Sequence, residues 1–499
     1  MKINSVCIVG GGSSGWMMAI ALNNHLPNVD ITLVESPNVP TVGVGESTIP
    51  YTSFFIRDIL GFKEEEWMPF CNASYKAAIR FCDFSQKGQN IYHPFWNDEE
   101  SDYNGFEWAI KKHLVDTPIE DYYSTNFITY HMSENNKFSK LEGEGFKYAH
   151  HLDASKFGEY CKSKFKGKHI LANVKHVKTN GSNIVSVTTD KEVIKADMFI
   201  DCTGFHGLLI DKALHEPFES ISDTLLNDTA ITCRMPYADK DKELEPFTDC
   251  TALSSGWAWN IPLWSRVGSG YVYSSRFQNE DGAKKEYKDY LTKRFDKKRV
   301  SDLEFNVVKF KTGKYKRGWV GNCLALTLAS GFIEPLESTG LALACYQINH
   351  FIEAIKDGEC SSFTKKLYNR ELDKSFEEIY NFVLLHYVNT KREDSTYWKH
   401  IKNTLEIPNS LSDYVANEKS GEWFPRKSRE SILIGINGNA EYSPKHLMYN
   451  NKWVMKCNKK EQENILADLN YFKLRKEWHT EKTYKMDILE KYLAKEIYA

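Results

Sequence analysis

"SVCIVGGGSSGWMMAIALNN", residues 5–24, decides how the rest of the chain is read. It predicts a short apolar strand, a glycine turn at Gly10–Gly12 and an amphipathic helix. "VDITLVES" (29–36) supplies a second strand ending at Glu35. The turn fits GxGxxG through Gly10, Gly12 and Gly15. Glu35 follows at about the 20-residue spacing expected of an acid that accepts a ribose hydroxyl. Glycines let the backbone approach a pyrophosphate, and the helix start adds N–H donors and a positive dipole end. Together these predict a dinucleotide-binding βαβ unit, although the glycine motif alone does not separate FAD from NAD.

Later segments favour FAD. "EVIKADMFIDCTGFHG" (192–207) is an apolar strand ending in Asp201-Cys202-Thr203-Gly204. "KRGWVGNCLALTLASGFIEPLESTG" (316–340) is another strand running into a small-residue turn and a helix. Two glycine turns so far down the chain imply a fold that returns to one large cofactor. "HILANVKHVKTNGSNIVSVTTDKEV" (169–193) predicts a β-meander turning at Asn180-Gly181. The cofactor domain is therefore discontinuous.

With 499 residues the chain is long enough for two or three packed units. Its net charge of −3 offers no basic field for nucleic acid. No run of apolar residues is long enough to span a bilayer, and no signal peptide is read before Ser5. Eleven cysteines, an odd number with no CxxC pair, fit reduced thiols in a cytoplasm and no zinc site. A cytoplasmic enzyme without nucleic-acid or membrane partners is expected.

Further motifs resemble one family, the flavin-dependent tryptophan halogenases, over about residues 1–435. They are "GGGSSGW" (10–16), "VGVGEST" (42–48), "ASYKAAIRF" (73–81), "YHPF" (92–95), "GWAWNIP" (256–262), "FIEPLESTG" (332–340) and "NFVLLHYVNTKREDSTYW" (381–398). The resemblance implies an α/β fold: a three-layer Rossmann-like FAD domain of the glutathione-reductase or p-hydroxybenzoate-hydroxylase type. Its expected extent is 1–345, discontinuous, with a β-rich substrate region inserted at about 75–160 and 215–310. A mostly helical part, 346–499, completes the substrate pocket. Flavin contacts are implied at Gly10, Gly12, Ser13, Ser14, Gly15, Glu35, Ser36, Gly45, Ser47, Val174 and Leu328. Reduced FAD, oxygen and halide then yield hypohalous acid, with the flavin supplying redox chemistry and the protein position and charge.

The same resemblance distributes the roles. Halide is held on the main chain of Thr339 and Gly340, at a helix start that Ser338 or Thr339 also suits as a cap. Lys76 matches the family's catalytic lysine, as an ammonium that polarises hypohalous acid or, if burial lowers its pKa, as an amine that forms a haloamine. Glu337 orients hypohalous acid or accepts the proton lost on rearomatisation, with Glu334 before Pro335 as the structural neighbour. Residues 42–48 are a mobile strap between flavin and substrate sites. Trp257 and Trp259, two apart on a strand, wall the flavin from the substrate.

His93 and Phe95 match residues that sandwich an indole, and Trp423 and Phe424 stand where the family has another aromatic pair. Either set also suits ordinary core. "SLSDYVANEKS" (410–420) lacks the tandem tyrosines by which tryptophan-specific members clamp the amino-acid end. Glu418 is the local candidate for an ammonium. Free tryptophan is thus in doubt, and free indoles, phenols or a carrier-bound substrate gain. His150, His151 and Asp153 read as a loop leading into a helix rather than a metal set. The tail has helical apolar spacing at Ile465, Leu469 and Phe472 and suits docking on the body or on a partner subunit.

These readings describe an FADH2-dependent halogenase of an electron-rich aromatic, fed by a separate flavin reductase and assembled as a homo-oligomer. An FAD monooxygenase of the same fold is the alternative, and a non-catalytic flavoprotein the second. Fold alone excludes neither.

Overall fold

The structure is a computed structural model that describes residues 2–39, 43–95, 117–139, 147–356, 360–388, 390–416, 421, 423–437, 460 and 480. The chain divides into two units. The first comprises Met1–Ala73, His150–Asp228 and Val308–Phe376; the second comprises Ser74–Ala149, Thr229–Val307 and Glu377–Ala499. The sequence division at 345/346 falls inside the helix Thr339–Ile355, and the first unit runs on to Phe376.

In the first unit a six-stranded sheet has the order Trp319–Val320, Cys323–Ala325, Met198–Asp201, Ser5–Val9, Asp30–Glu35, Lys168–Leu171. All neighbours pair in parallel except the first two strands, which are antiparallel. Ser5–Val9 lies inside this sheet, and Val6, Cys7, Ile8 and Val9 are all buried, which is why that stretch is continuously apolar. The helix Ser13–His25 follows directly. Its residues from Gly15 to Leu22 are buried without a break, so it is a core helix and not the amphipathic one expected. The reason is that it packs against two other helices, Ala154–Lys164 and Thr339–Ile355.

The meander contains Val174–Asn180, Asn183–Thr189 and Val193–Ile194. It turns through Gly181 and Ser182, Gly181 supplying φ +58°. Lys168–Leu171, expected in the meander, instead pairs with Asp30–Glu35. Asn173 breaks the run: its amide N–H and side chain donate to Asp190 at 3.1 and 3.2 Å.

The second unit is built on a sheet whose successive strands include Thr229–Pro236, Arg266–Tyr273, Gly256–Pro262, Phe247–Ala252, Ala78–Cys82 and Asn90–Pro94. Phe247–Ala252 and Ala78–Cys82 run parallel, and the other pairs antiparallel. The helix Glu280–Arg294 covers part of this sheet, placing Tyr287 and Leu291 against Ile231, Ala258 and Tyr271. After residue 340, every described element in either unit is a helix. No described helix is long and apolar enough to cross a membrane.

One buried ion cluster ties the parallel pair. Asp249 is 1% exposed and lies 2.8 Å from Arg80 Nε and 2.6 Å from Arg294 Nη1. Burial pushes its carboxyl up, but Arg294 and Arg80 outweigh that and hold it below the usual carboxylate range. Removing one charge strands the others. Asp249→Asn is expected to cost about 3–5 kcal/mol, read as a lower midpoint with unchanged slope in urea unfolding.

Candidate active site

Close approach sets the geometry of the glycine turn in the first unit. A Cβ on Gly10, at φ +119°, would fall 2.2 Å from Cys202 O. One on Gly15 would fall 2.0 Å from Gly10 O, whereas one on Gly12 would meet nothing within 4 Å. So Gly10 and Gly15 close the turn, and Gly12 leaves an open face. No side chain caps the helix that starts at Ser13. Ser13 Oγ donates to Ala154 O at 2.8 Å, and Ser14 Oγ lies 3.0 Å from Thr327 Oγ1.

Glu35 sits beside this turn, since a Cβ on Gly11 would lie 2.4 Å from its Cγ. Glu35 Oε2 is 3.0 Å from Lys162 Nζ and 2.9 Å from His169 Nε2. Burial, then Lys162, holds His169 below its ordinary range, so near neutral pH the lysine is the cation facing Glu35. Ser36 Oγ donates to Asn173 Oδ1 at 2.8 Å. Val174 is partly buried against the meander core, and Leu328 is half-buried in the short turn Thr327–Ala329. An uncapped helix start, an open glycine and a flanking carboxylate fit the pyrophosphate and ribose of a dinucleotide.

A strand anchors the end of the glycine strap. Gly45 has φ +134°, and Glu46 and Ser47 pair with Leu152 and His151. Thr48 Oγ1 donates to His150 O at 2.7 Å. Val42 lies outside the described residues. Glu46 is half-buried, and desolvation of its carboxyl pushes it up to about 7.

The serine of "ESTG" does not cap its helix as the sequence predicts. Ser338 occupies the N-cap position in left-handed geometry, φ 60° and ψ 31°, and makes no side-chain cap bond. Its hydroxyl donates to Ser47 Oγ at 2.9 Å instead. Thr339 is the first helical residue, and the Cβ position of Gly340 is open within 4 Å. A seventeen-residue helix thus begins without a side-chain cap, which suits an anion. Glu337, just before it, is fully buried. Glu334 is equally buried and accepts from Asn227 Nδ2 at 2.6 Å.

Sequence reading missed Gln347, buried on the same helix. Its Oε1 accepts from Thr327 N–H at 2.8 Å, and its Nε2 donates to Ser330 Oγ at 3.0 Å. Through Thr327 and Ser14 it links the helix behind Gly340 to the start of the helix Ser13–His25. A lone glutamine in an apolar helix carries no motif, so nothing local announces it.

The second unit holds the other residues. Lys76 ends the strand Ser74–Lys76, is fully buried, and places Nζ 5.2 Å from the Phe95 ring centroid. Ser74 Oγ donates to Pro262 O at 2.5 Å, which ties this strand to the end of "GWAWNIP". His93 Nε2 lies 2.8 Å from Ser428 Oγ, and its ring is 6.2 Å from Phe95 and 6.3 Å from Phe424. Phe424 stacks on Phe382 at 3.7 Å. The N–H groups of Trp423 and Phe424 donate to Glu378 Oε1 at 3.0 and 2.8 Å, with Trp423 half-buried and Phe424 buried. Trp257 and Trp259 share a sheet face, ring centroids 5.9 Å apart. A Cβ on Gly270, opposite Trp259, would lie 2.3 Å from that indole.

His150 and His151 belong to the strand Ala149–Leu152, not to a loop, and Asp153 caps the helix after it. His150 lies between Ser53 Oγ at 3.0 Å and Glu64 Oε1 at 3.2 Å. No group of three or more potential metal ligands occurs among the described residues. Glu418, Ile465, Leu469 and Phe472 lie outside them.

Three substitutions in the first unit test this geometry. Gly15→Ala is expected to lose about 1–3 kcal/mol in thermal unfolding through overpacking. Gly12→Ala is expected to leave the melt of the cofactor-free protein unchanged while weakening FAD binding in a fluorescence titration. For Glu46 the folded state holds a proton between about pH 4.3, the ordinary glutamate value, and about pH 7, where the unfolded chain has lost it. Its contribution to stability therefore falls as pH rises through that window. Glu46→Gln should gain on the unaltered protein from about pH 5 to pH 7 and hold a constant margin above it, measured by unfolding midpoints.

A family profile described as tryptophan halogenase matches residues 5–455. The tryptophan 7-halogenase RebH of Lentzea aerocolonigenes is 35% identical over 445 residues, covering 84% of this chain and 82% of that protein. Among solved structures, VirX1 in its apo form superposes with TM-score 0.86 at 31% identity, covering 100% of this chain and 99% of that one. Xcc4156, a flavin-dependent halogenase from Xanthomonas campestris, gives 0.84 at 26% identity, with 99% and 98% coverage.

Proposed function

The chain belongs to the tryptophan halogenase family, and from that premise we propose that it halogenates an electron-rich aromatic ring, an indole, tryptophan-like compound or phenol, using reduced FAD, oxygen and halide. The observation that carries this reading is Lys76: a lysine with no exposed surface, set over an aromatic ring on a strand bonded to the tryptophan-bearing one. A lysine serving only solubility has no reason to be there.

Gly10, Gly12, Ser13, Ser14, Gly15 and Glu35 would hold the dinucleotide, with Ser36, Gly45, Ser47, Val174 and Leu328 around it. When bound, reduced FAD with oxygen supplies the two-electron oxidation that turns halide into hypohalous acid. The main chain of Thr339 and Gly340 holds the halide by helix-end N–H groups. Lys76 donates a hydrogen bond to hypohalous acid and withdraws electron density from its halogen. Enclosure keeps water from competing for that bond. Glu337 takes the proton released when the halogenated ring regains aromaticity. Trp257 and Trp259 fill the face between oxidant and substrate, while His93, Phe95, Trp423 and Phe424 offer aromatic surface to a flat ring. A separate reductase supplies the reduced flavin, and the working form is a homo-oligomer.

Missing tandem tyrosines upstream of Trp423 favour a substrate without a free amino-acid end. Mass spectrometry of an indole and phenol panel, run with FAD, a reductase, oxygen and chloride, bromide or iodide, tests the reading. Halogenated product is expected, falling at least about 100-fold in Lys76→Ala and in Glu337→Gln. Oxygenated product without halogen, or product undiminished in Lys76→Ala, would overturn it.

A further inference from the structure

The segment "TKREDSTYW" (390–398) has no part in the chemistry above, yet it grips the turn that launches Trp257. Arg392 is 5% exposed. Its Nε and Nη2 bond Asp394 Oδ1 and Oδ2 at 2.8 and 3.0 Å. Nη1 donates to Asp83 O at 3.1 Å and Ala252 O at 3.0 Å, and Nη2 also reaches Leu253 O at 3.3 Å. All five guanidinium N–H donors are thereby committed. Trp398 lies under the guanidinium, 4.6 Å from ring centroid to Cζ, and its Nε1 donates to the same Leu253 O at 2.7 Å.

The amide side of the turn is held as firmly. Leu253 N–H donates to Gly256 O at 2.8 Å. Ser254 N–H and Oγ–H donate to the two oxygens of Glu286 at 2.9 and 2.7 Å. Ser255 N–H donates to the Tyr271 hydroxyl at 3.3 Å, which itself donates to Glu286 Oε2 at 3.0 Å. A three-residue connection between antiparallel strands needs no such support. Ala252, whose carbonyl Arg392 holds, is the cross-strand partner of Trp257.

We propose that Arg392 is a positioning residue: by clamping the Ala252 and Leu253 carbonyls it fixes the backbone from which Trp257 projects, and so sets how much oxidant reaches halide and how much is lost as hydrogen peroxide. This rests on the halogenase reading above. Lysine keeps the charge but offers three donors from one point, so it cannot hold a carboxylate bidentately and three carbonyls at once. Asp394→Asn keeps the guanidinium and its carbonyl bonds, and it is expected to give an intermediate, folded variant.

Hydrogen exchange read by mass spectrometry on the full chain without flavin tests the clamp. Residues 253–255 should exchange about tenfold faster in Arg392→Lys, and less so in Asp394→Asn. With FAD, reductase and halide, the ratio of halogenated product to hydrogen peroxide should fall about fivefold in Arg392→Lys, at unchanged halide KM. Unaltered exchange would overturn the clamp. Faster exchange with an unchanged product-to-peroxide ratio would leave a structural bolt and overturn the positioning role. If Arg392→Lys does not fold, Asp394→Asn decides by the same two readouts. An unaltered enzyme that forms no halogenated product would instead sink the halogenase reading, whatever the exchange data show.

Discussion

There is no room for a β-carbon where the first helix crosses the first strand. The missing atoms at Gly10 and Gly15 let that helix start almost on the strand end, against the Asp201-Cys202 corner of the next strand. Several contacts of the first unit meet at this crossing. It aims the uncapped helix start, puts Glu35 beside Gly11, and sets Ser14 against Thr327. Thr327 in turn is held by Gln347, on the helix that begins at Thr339. Two helix starts, each suited to an anion, are thus linked by a short chain of hydrogen bonds through one buried glutamine.

The second unit solves a different problem, that of keeping charge inside a sheet. Asp249 between Arg80 and Arg294 stabilises little beyond a well-packed apolar set, because desolvation offsets most of the attraction. What it does is tie two neighbouring strands together. Arg80 lies on the strand that follows Lys76 directly, and Asp249 lies on the strand that pairs with "GWAWNIP". The Ser74 bond to Pro262 adds a second tie between the same two segments. Lysine and tryptophans are therefore carried on strands that are held in step.

The parts of this arrangement visible in the sequence are those with local patterns. The glycine turn, the apolar strands and Glu35 sit within a few dozen residues and obey a spacing rule, and the two tryptophans obey strand alternation. Gln347, Gly270 and the partners of Arg392 were silent because their meaning comes from residues far away in sequence; Arg392 and Asp83 are 309 positions apart. The Ser338 cap failed for the same reason: a hydroxyl that fits a local cap met Ser47, 291 positions earlier, and turned to it. Lys168–Leu171 pairs with Asp30–Glu35, a partner more than 130 positions away that the local alternation does not reveal.

Gly270 has a consequence for anyone reshaping this enzyme. The Trp259 indole rests in a hollow that exists only because the facing strand lacks a side chain, so the tilt of the ring belongs to two positions rather than one. Exchanging the tryptophan for a smaller residue would leave the hollow behind, and filling the hollow would evict the ring. Variant libraries that treat either site as independent will sample mostly incompatible pairs, and co-varying both is the way to move this ring without displacing its neighbour strand.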